Sequence, residues 1–139
     1  MWTNLLIGCI LLIFSIFVHA TATRFAMRIA AKKAASRHLK INSKEIWTSL
    51  IVLIMFAASF IEALAWAFTY ILLGAIHSLE EALYFSIVTF TTLGYGDITL
   101  NESYRLLASI EAADGIIIFG WSTAITMAVV QKFFFKSTS

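Results

Sequence analysis

The chain has 139 residues, 60% hydrophobic and 13% charged, with a mean hydropathy of +0.88. Such a composition excludes a water-soluble globular domain. A single cysteine, Cys9, excludes an intrachain disulfide, and a net charge of +2 conceals an uneven distribution of charge along the chain.

Residues 1–23 form a first apolar segment with no charged side chain, long enough for one bilayer crossing. Ala20-Thr21-Ala22 has the small residues of a signal-peptidase site, but basic residues follow the segment instead of preceding it. A retained transmembrane helix is therefore expected. Residues 24–44 hold seven of the ten Lys and Arg residues. Arg24, Arg28 and Lys32 share a face at four-residue spacing. With Lys33 they are expected at anionic lipid headgroups, in a cytoplasmic linker or interfacial helix. Asn42 or Ser43 is placed to cap the next helix.

Residues 45–75 read as an outer transmembrane helix, with Trp47 at the inner interface and Trp66 and Tyr70 at the outer one. Glu62 lies roughly 25 Å along that helix from Glu45, at 1.5 Å per residue. A carboxylate at that depth must face protein or water. Ser78-Leu79-Glu80-Glu81 matches a capping box. The helix it opens, 79–90, is too short to span and reads as re-entrant, which irregular backbone at membrane depth requires. Its C-terminal dipole end would favour a cation.

Thr91-Thr92-Leu93-Gly94-Tyr95-Gly96-Asp97 follows. Left-handed residues at Gly94 and Gly96 let successive carbonyls point to one side. Repeated around a four-fold axis, such a row gives rings of oxygens that replace the water around a monovalent cation. The stretch resembles the selectivity filter of the tetrameric potassium-channel family, T-x-G-Y-G-D, with Leu93 where Val or Ile is usual. The resemblance implies K⁺ coordination by the Thr92 hydroxyl and the carbonyls of Thr92, Leu93, Gly94 and Tyr95. Gly96 and Asp97 complete the motif, and no cofactor is implied beyond the permeant ion. Because coordination is through the backbone, Leu93 should alter packing behind the filter and not the ligand set. The family's indole donor to the filter Asp is replaced by Phe85, and Val88 stands where some members carry Glu. Tyr84 is the substitute donor to Asp97, if its geometry allows.

Residues 104–135 read as the inner helix, with Asn101 and Ser103 as caps and 136–139 as a short tail. Gly115 falls at the position of the family's gating hinge. Gly115 and Gly120 are hinge candidates, with close helix packing as the alternative. Phe119 and Thr123 are the best candidates for the cavity lining. Glu62, Glu111 and Asp114 reach similar depth behind the filter. They either support it, by bonding the hydroxyls of Ser86, Thr89 or Thr91 or the indole of Trp66, or titrate and gate, or face the cavity as charge. His19, His38 and His77 fall one per element and suggest no shared site.

The fold expected is all-α: three transmembrane helices and a re-entrant pore helix with a filter loop per subunit, assembled as a homotetramer. With the basic stretch inside, the N-terminus lies outside and the C-terminus inside, in a bacterial cytoplasmic membrane. Nine of ten basic residues then face the cytoplasm. The expected function is passive K⁺ conduction, not enzyme chemistry. A non-selective channel of the same fold and a non-conducting membrane sensor or partner subunit are the alternatives.

Overall fold

The structure, a computed structural model, describes residues 2–34 and 41–135. Arg37, His38, Lys40 and the tail 136–139 lie outside the described residues. Four α-helices follow one another: α1 (Trp2–Ala34), α2 (Ile41–Leu72), α3 (Leu79–Phe90) and α4 (Arg105–Val130). A π-helical turn, Gln131–Phe135, extends α4. Three helical stretches are long and apolar enough to cross a membrane: Trp2–Lys33, Ser43–Leu72 and Arg105–Phe135.

α1 is longer than one crossing requires. Its 33 residues span about 50 Å at 1.5 Å per residue, against a hydrocarbon core of about 30 Å. The basic residues Arg24, Arg28, Lys32 and Lys33 therefore continue the transmembrane helix, and do not form a separate helix on the headgroups as the sequence suggested. Nothing between Ala20 and Ala34 breaks a helix, and the run is rich in alanine, the best helix former. Lys33 ends over the Trp47 ring, 4.1 Å from its centroid.

α1 buries one narrow seam: Asn4, Gly8, Ser15, His19, Ala26 and Ala30, spaced by four and seven residues. These are small or polar residues, as expected where a membrane helix approaches its neighbours. Leu6, Ile13 and Phe17 face away and are more than 60% exposed. The Asn4 amide donates to the Ser103 carbonyl at one end of the molecule. At the other end Ala26 and Ala30 pack with Ile51, Met55, Val129 and Phe133. α1 thus runs parallel to α4 and antiparallel to α2, and its N-terminus sits at the end that carries the loop after α3.

α2 begins at Ile41, so Asn42 and Ser43 lie inside its first turn and not ahead of it. Ser78 does cap α3, accepting from the Glu81 N–H at 3.4 Å. α3 is wedged between α2 and α4. Its Ala82, Phe85 and Phe90 pack with Trp66, Tyr70, Leu107 and Ile118. Trp66 and Tyr70 are fully buried there, not displayed at an interface belt. Asn101 and Ser103 do not cap α4 either. The Asn101 side chain accepts from the Ser103 N–H at 3.1 Å, and Tyr104 takes the N-cap position without a side-chain bond. The crossing of α4 over α3 is close: a Cβ on Gly115 would sit 1.8 Å from the Phe90 carbonyl oxygen.

Candidate functional site

α3 ends in backbone bonds that turn the chain sharply. The Thr91 and Thr92 N–H groups donate to the carbonyls of Ile87 and Thr89, both at 2.9 Å. The N–H groups of Leu93 and Gly94 both donate to Val88, at 3.0 and 3.3 Å. The N–H groups of Thr91 to Gly94 are therefore consumed by the end of α3. The acceptors of the loop are not. Among the described residues, no hydrogen bond ends on a carbonyl from Thr92 to Gly96.

Positive φ recurs at every second residue: Thr92 at 61°, Gly94 at 55° and Gly96 at 77°. Alternation of left-handed and ordinary residues turns successive carbonyls toward a common side. Glycine adopts this backbone freely. Thr92 adopts it at a strain of about 1–3 kcal/mol, and no residue pattern signals a left-handed threonine there. Thr92 through Asp97 are all exposed in the protomer, with Leu93 at 57% and Tyr95 at 67%. Leu93 is not packed behind the loop by its own protomer.

The outer end of the loop is fixed by Asp97. The Tyr84 hydroxyl donates to Asp97 Oδ2 at 2.7 Å, and the Ile98 N–H donates to Oδ1 at 3.1 Å. Tyr84 thus has the geometry of a donor to Asp97. The hydroxyl first, and the backbone donor after it, hold the Asp97 carboxyl below the usual carboxylate range. The same bond pushes the Tyr84 hydroxyl up.

Behind the loop lies a polar cluster in the middle of the helices. Glu62, Glu111 and Asp114 are fully buried. Glu111 accepts from the Tyr70 hydroxyl at 2.6 Å and lies 2.5 Å from the Ser86 Oγ. The Ser86 Oγ is also 2.7 Å from the Ala63 carbonyl, so one hydroxyl ties α3 to both α2 and α4. Asp114 accepts from the Trp66 indole at 3.0 Å and from the Ser15 hydroxyl at 2.6 Å. Glu62 meets the His19 Nδ1 at 3.1 Å. His19 Nε2 lies 3.0 Å from the Ser122 hydroxyl.

Ser86 and Trp66 thus bond the carboxylates as the sequence suggested. Thr91 does not: its hydroxyl turns back to the carbonyls of Ile87 and Val88. Thr89 forms no bond with these carboxylates among the described residues. Four members were not anticipated: Tyr70 and Ser122, and Ser15 and His19 from α1, the last two essentially inaccessible. For the α1 pair a signal was present. With Asn4, Ser15 and His19 are the polar members of a seam of small residues spaced by four and seven positions, on a helix otherwise built of large apolar side chains.

Residues 41–132 match the sequence profile of a family described as Ion channel. The match covers about two thirds of the chain: α2, α3, the loop after it and nearly all of α4. The chain belongs to that ion-channel family. Searches of curated proteins and of solved structures gave no match. The channel domain is thus an integral membrane domain of two spans and a re-entrant segment. α1 precedes it and lies almost wholly outside the matched residues.

Within the channel, Phe119 is 39% exposed and stacks edge-on against Phe90, with centroids 5.8 Å apart. The exposed Thr123 donates its hydroxyl to the Phe119 carbonyl at 2.8 Å. Gly120 has open space where a Cβ would be, in contrast to Gly115.

Proposed function

We propose that this channel is a homotetramer that conducts K⁺ selectively and passively through Thr92-Leu93-Gly94-Tyr95-Gly96-Asp97. The observation that carries the reading is the loop backbone. The N–H groups of Thr91 to Gly94 are spent on α3, the carbonyls from Thr92 to Gly96 have no partner among the described residues, and left-handed residues alternate along the loop. Four such loops around an axis supply stacked oxygen rings for a dehydrated monovalent cation. The carbonyls of Thr92, Leu93, Gly94 and Tyr95 and the Thr92 hydroxyl are the proposed ligands, and Asp97 adds negative potential at the mouth. Exposed apolar side chains on the loop and on α4, Leu93, Tyr95, Ile116, Phe119 and Met127, suit contact with further copies and a lined cavity. Gly120, with space around it, is the better hinge of the two glycines on α4.

The reversal potential of the purified protein in a planar bilayer, with K⁺ on one side and Na⁺ on the other, tests this. A value near the K⁺ equilibrium potential is expected. A value near zero would overturn selectivity.

A further inference from the structure

We propose that His19, on the helix outside the matched channel domain, is a proton-binding positioning residue that couples α1 to the inner helix and makes conduction depend on pH. The proposal rests on the conduction reading above, but its observations are separate.

The first observation is connectivity. The imidazole is completely buried and both ring nitrogens are engaged, on two different helices. Nδ1 meets Glu62 Oε1 on α2 at 3.1 Å, and Nε2 meets the Ser122 hydroxyl on α4 at 3.0 Å. The Trp121 ring closes the side of the imidazole edge-on, 5.6 Å between centroids. One side chain therefore bridges the outer and inner helices.

The second is proton stereochemistry. With Glu62 ionised, the carboxylate only accepts, and Nδ1 then carries the hydrogen toward it. In the neutral ring Nε2 then accepts, and Ser122 donates to it. In the imidazolium Nε2 donates, and the Ser122 hydroxyl must reverse its role. The link to Glu62 survives both states and the link to α4 changes its sense. Proton uptake thus acts on the inner helix.

The third is charge. Glu62 faces His19 from α2 and Asp114 faces it from α4, with Glu111 about one turn nearer the loop. Glu62 Oε2 and Asp114 Oδ1 are buried without a hydrogen-bond partner. Among the described residues, the ion pairs are His19–Glu62 and the exposed Arg105–Glu102, so no Lys or Arg compensates the buried carboxylates. Lys132, on the π-helical turn, lies ten residues beyond Ser122 and about 15 Å further along the helix. An uncompensated buried charge is costly. The imidazolium is the cation this cluster can make for itself.

Open probability against pH between about 5 and 8, the range in which imidazoles titrate, tests the proposal in bilayers. Wild type should show a titration that His19→Gln abolishes and Ser122→Ala shifts. The His38→Gln/His77→Gln double variant should keep it. A wild-type curve unchanged in His19→Gln overturns the proposal. Imidazole ¹⁵N NMR of the folded double variant, in which His19 is the one histidine left, decides proton uptake independently of current. Shifts moving from one neutral tautomer to the imidazolium over the same range support it, and a single tautomer throughout overturns it. Failure of the selectivity reading appears in the reversal potential, not in either readout.

Discussion

Asp97 shows how one hydrogen bond sets the charge at the mouth of the loop. With Tyr84 donating, its carboxyl ionises below the ordinary range, so the negative charge persists at mildly acidic pH. Tyr84→Phe removes the donor and lets the carboxyl return toward its usual value. Acid block of current should then begin at higher pH in Tyr84→Phe than in wild type, as read from single-channel conductance against external pH. Glu111 is bound differently, as the shared partner of the Tyr70 and Ser86 hydroxyls. Glu111→Leu leaves the Tyr70 hydroxyl buried without its acceptor, at about 1–3 kcal/mol, while the Ser86 hydroxyl keeps the Ala63 carbonyl. The thermal midpoint in detergent should fall clearly, and fall less in Glu111→Gln, which keeps an acceptor. Leu93 is a side chain on a backbone that would do the coordinating. Leu93→Val should leave the reversal potential unchanged.

The helices meet at places where a single residue decides the approach. Gly115 lets α4 lie against the end of α3, where an added methyl would meet a backbone oxygen that cannot move aside. Gly115→Ala should therefore cost about 1–3 kcal/mol or more, the range for overpacking. Gly120→Ala meets nothing within 4 Å in the protomer and should leave the thermal midpoint almost unaltered. Gly8 is intermediate. A Cβ there would fall 2.7 Å from the Ile110 Cδ1, the end of a side chain that can rotate away. The rank order of the three alanine variants in a thermal melt checks the packing. A marked loss in Gly120→Ala would contradict it. The same reasoning explains α1, whose small seam residues let it come close enough for Ser15 and His19 to reach carboxylates on other helices.

At the scale of the whole molecule, a two-span channel domain carries a third helix on its flank. That helix reaches every level, from Asn4 beside the start of α4 to Ala30 beside Val129 and Phe133. The protomer nevertheless leaves the loop and much of α4 uncovered: Leu93, Tyr95, Ile116 and Phe119 are between 39% and 67% exposed. One chain cannot enclose a pore. Chemical cross-linking in mild detergent should give a ladder ending at four copies of the 15.5 kDa chain. A ladder ending at two would contradict the ring arrangement.

The sequence by itself determined the membrane setting, the three spans, the short α3 and the left-handed backbone at Gly94 and Gly96. These rest on composition, on lengths measured against the bilayer, and on the glycines that a left-handed backbone favours. The capping of α3 by Ser78 was equally local, a matter of one side chain and one N–H three residues on. Helix ends without such a signal were not legible. α1 ran through its basic half because nothing in that half stops a helix, α2 starts ahead of Asn42 and Ser43, and the Asn101 side chain takes the Ser103 N–H instead of capping α4. Trp66 and Tyr70 read as interface anchors because depth along one helix says nothing of what stands beside it. The tertiary structure alone decided that Glu62 meets His19, that Asp114 meets Ser15 and that Glu111 meets Tyr70. Each pair joins residues separated by 41 to 99 positions in the chain. A buried carboxylate demands a partner wherever it sits. Which partner it finds depends on which helices lie against it, and that is fixed by the packing of all four at once.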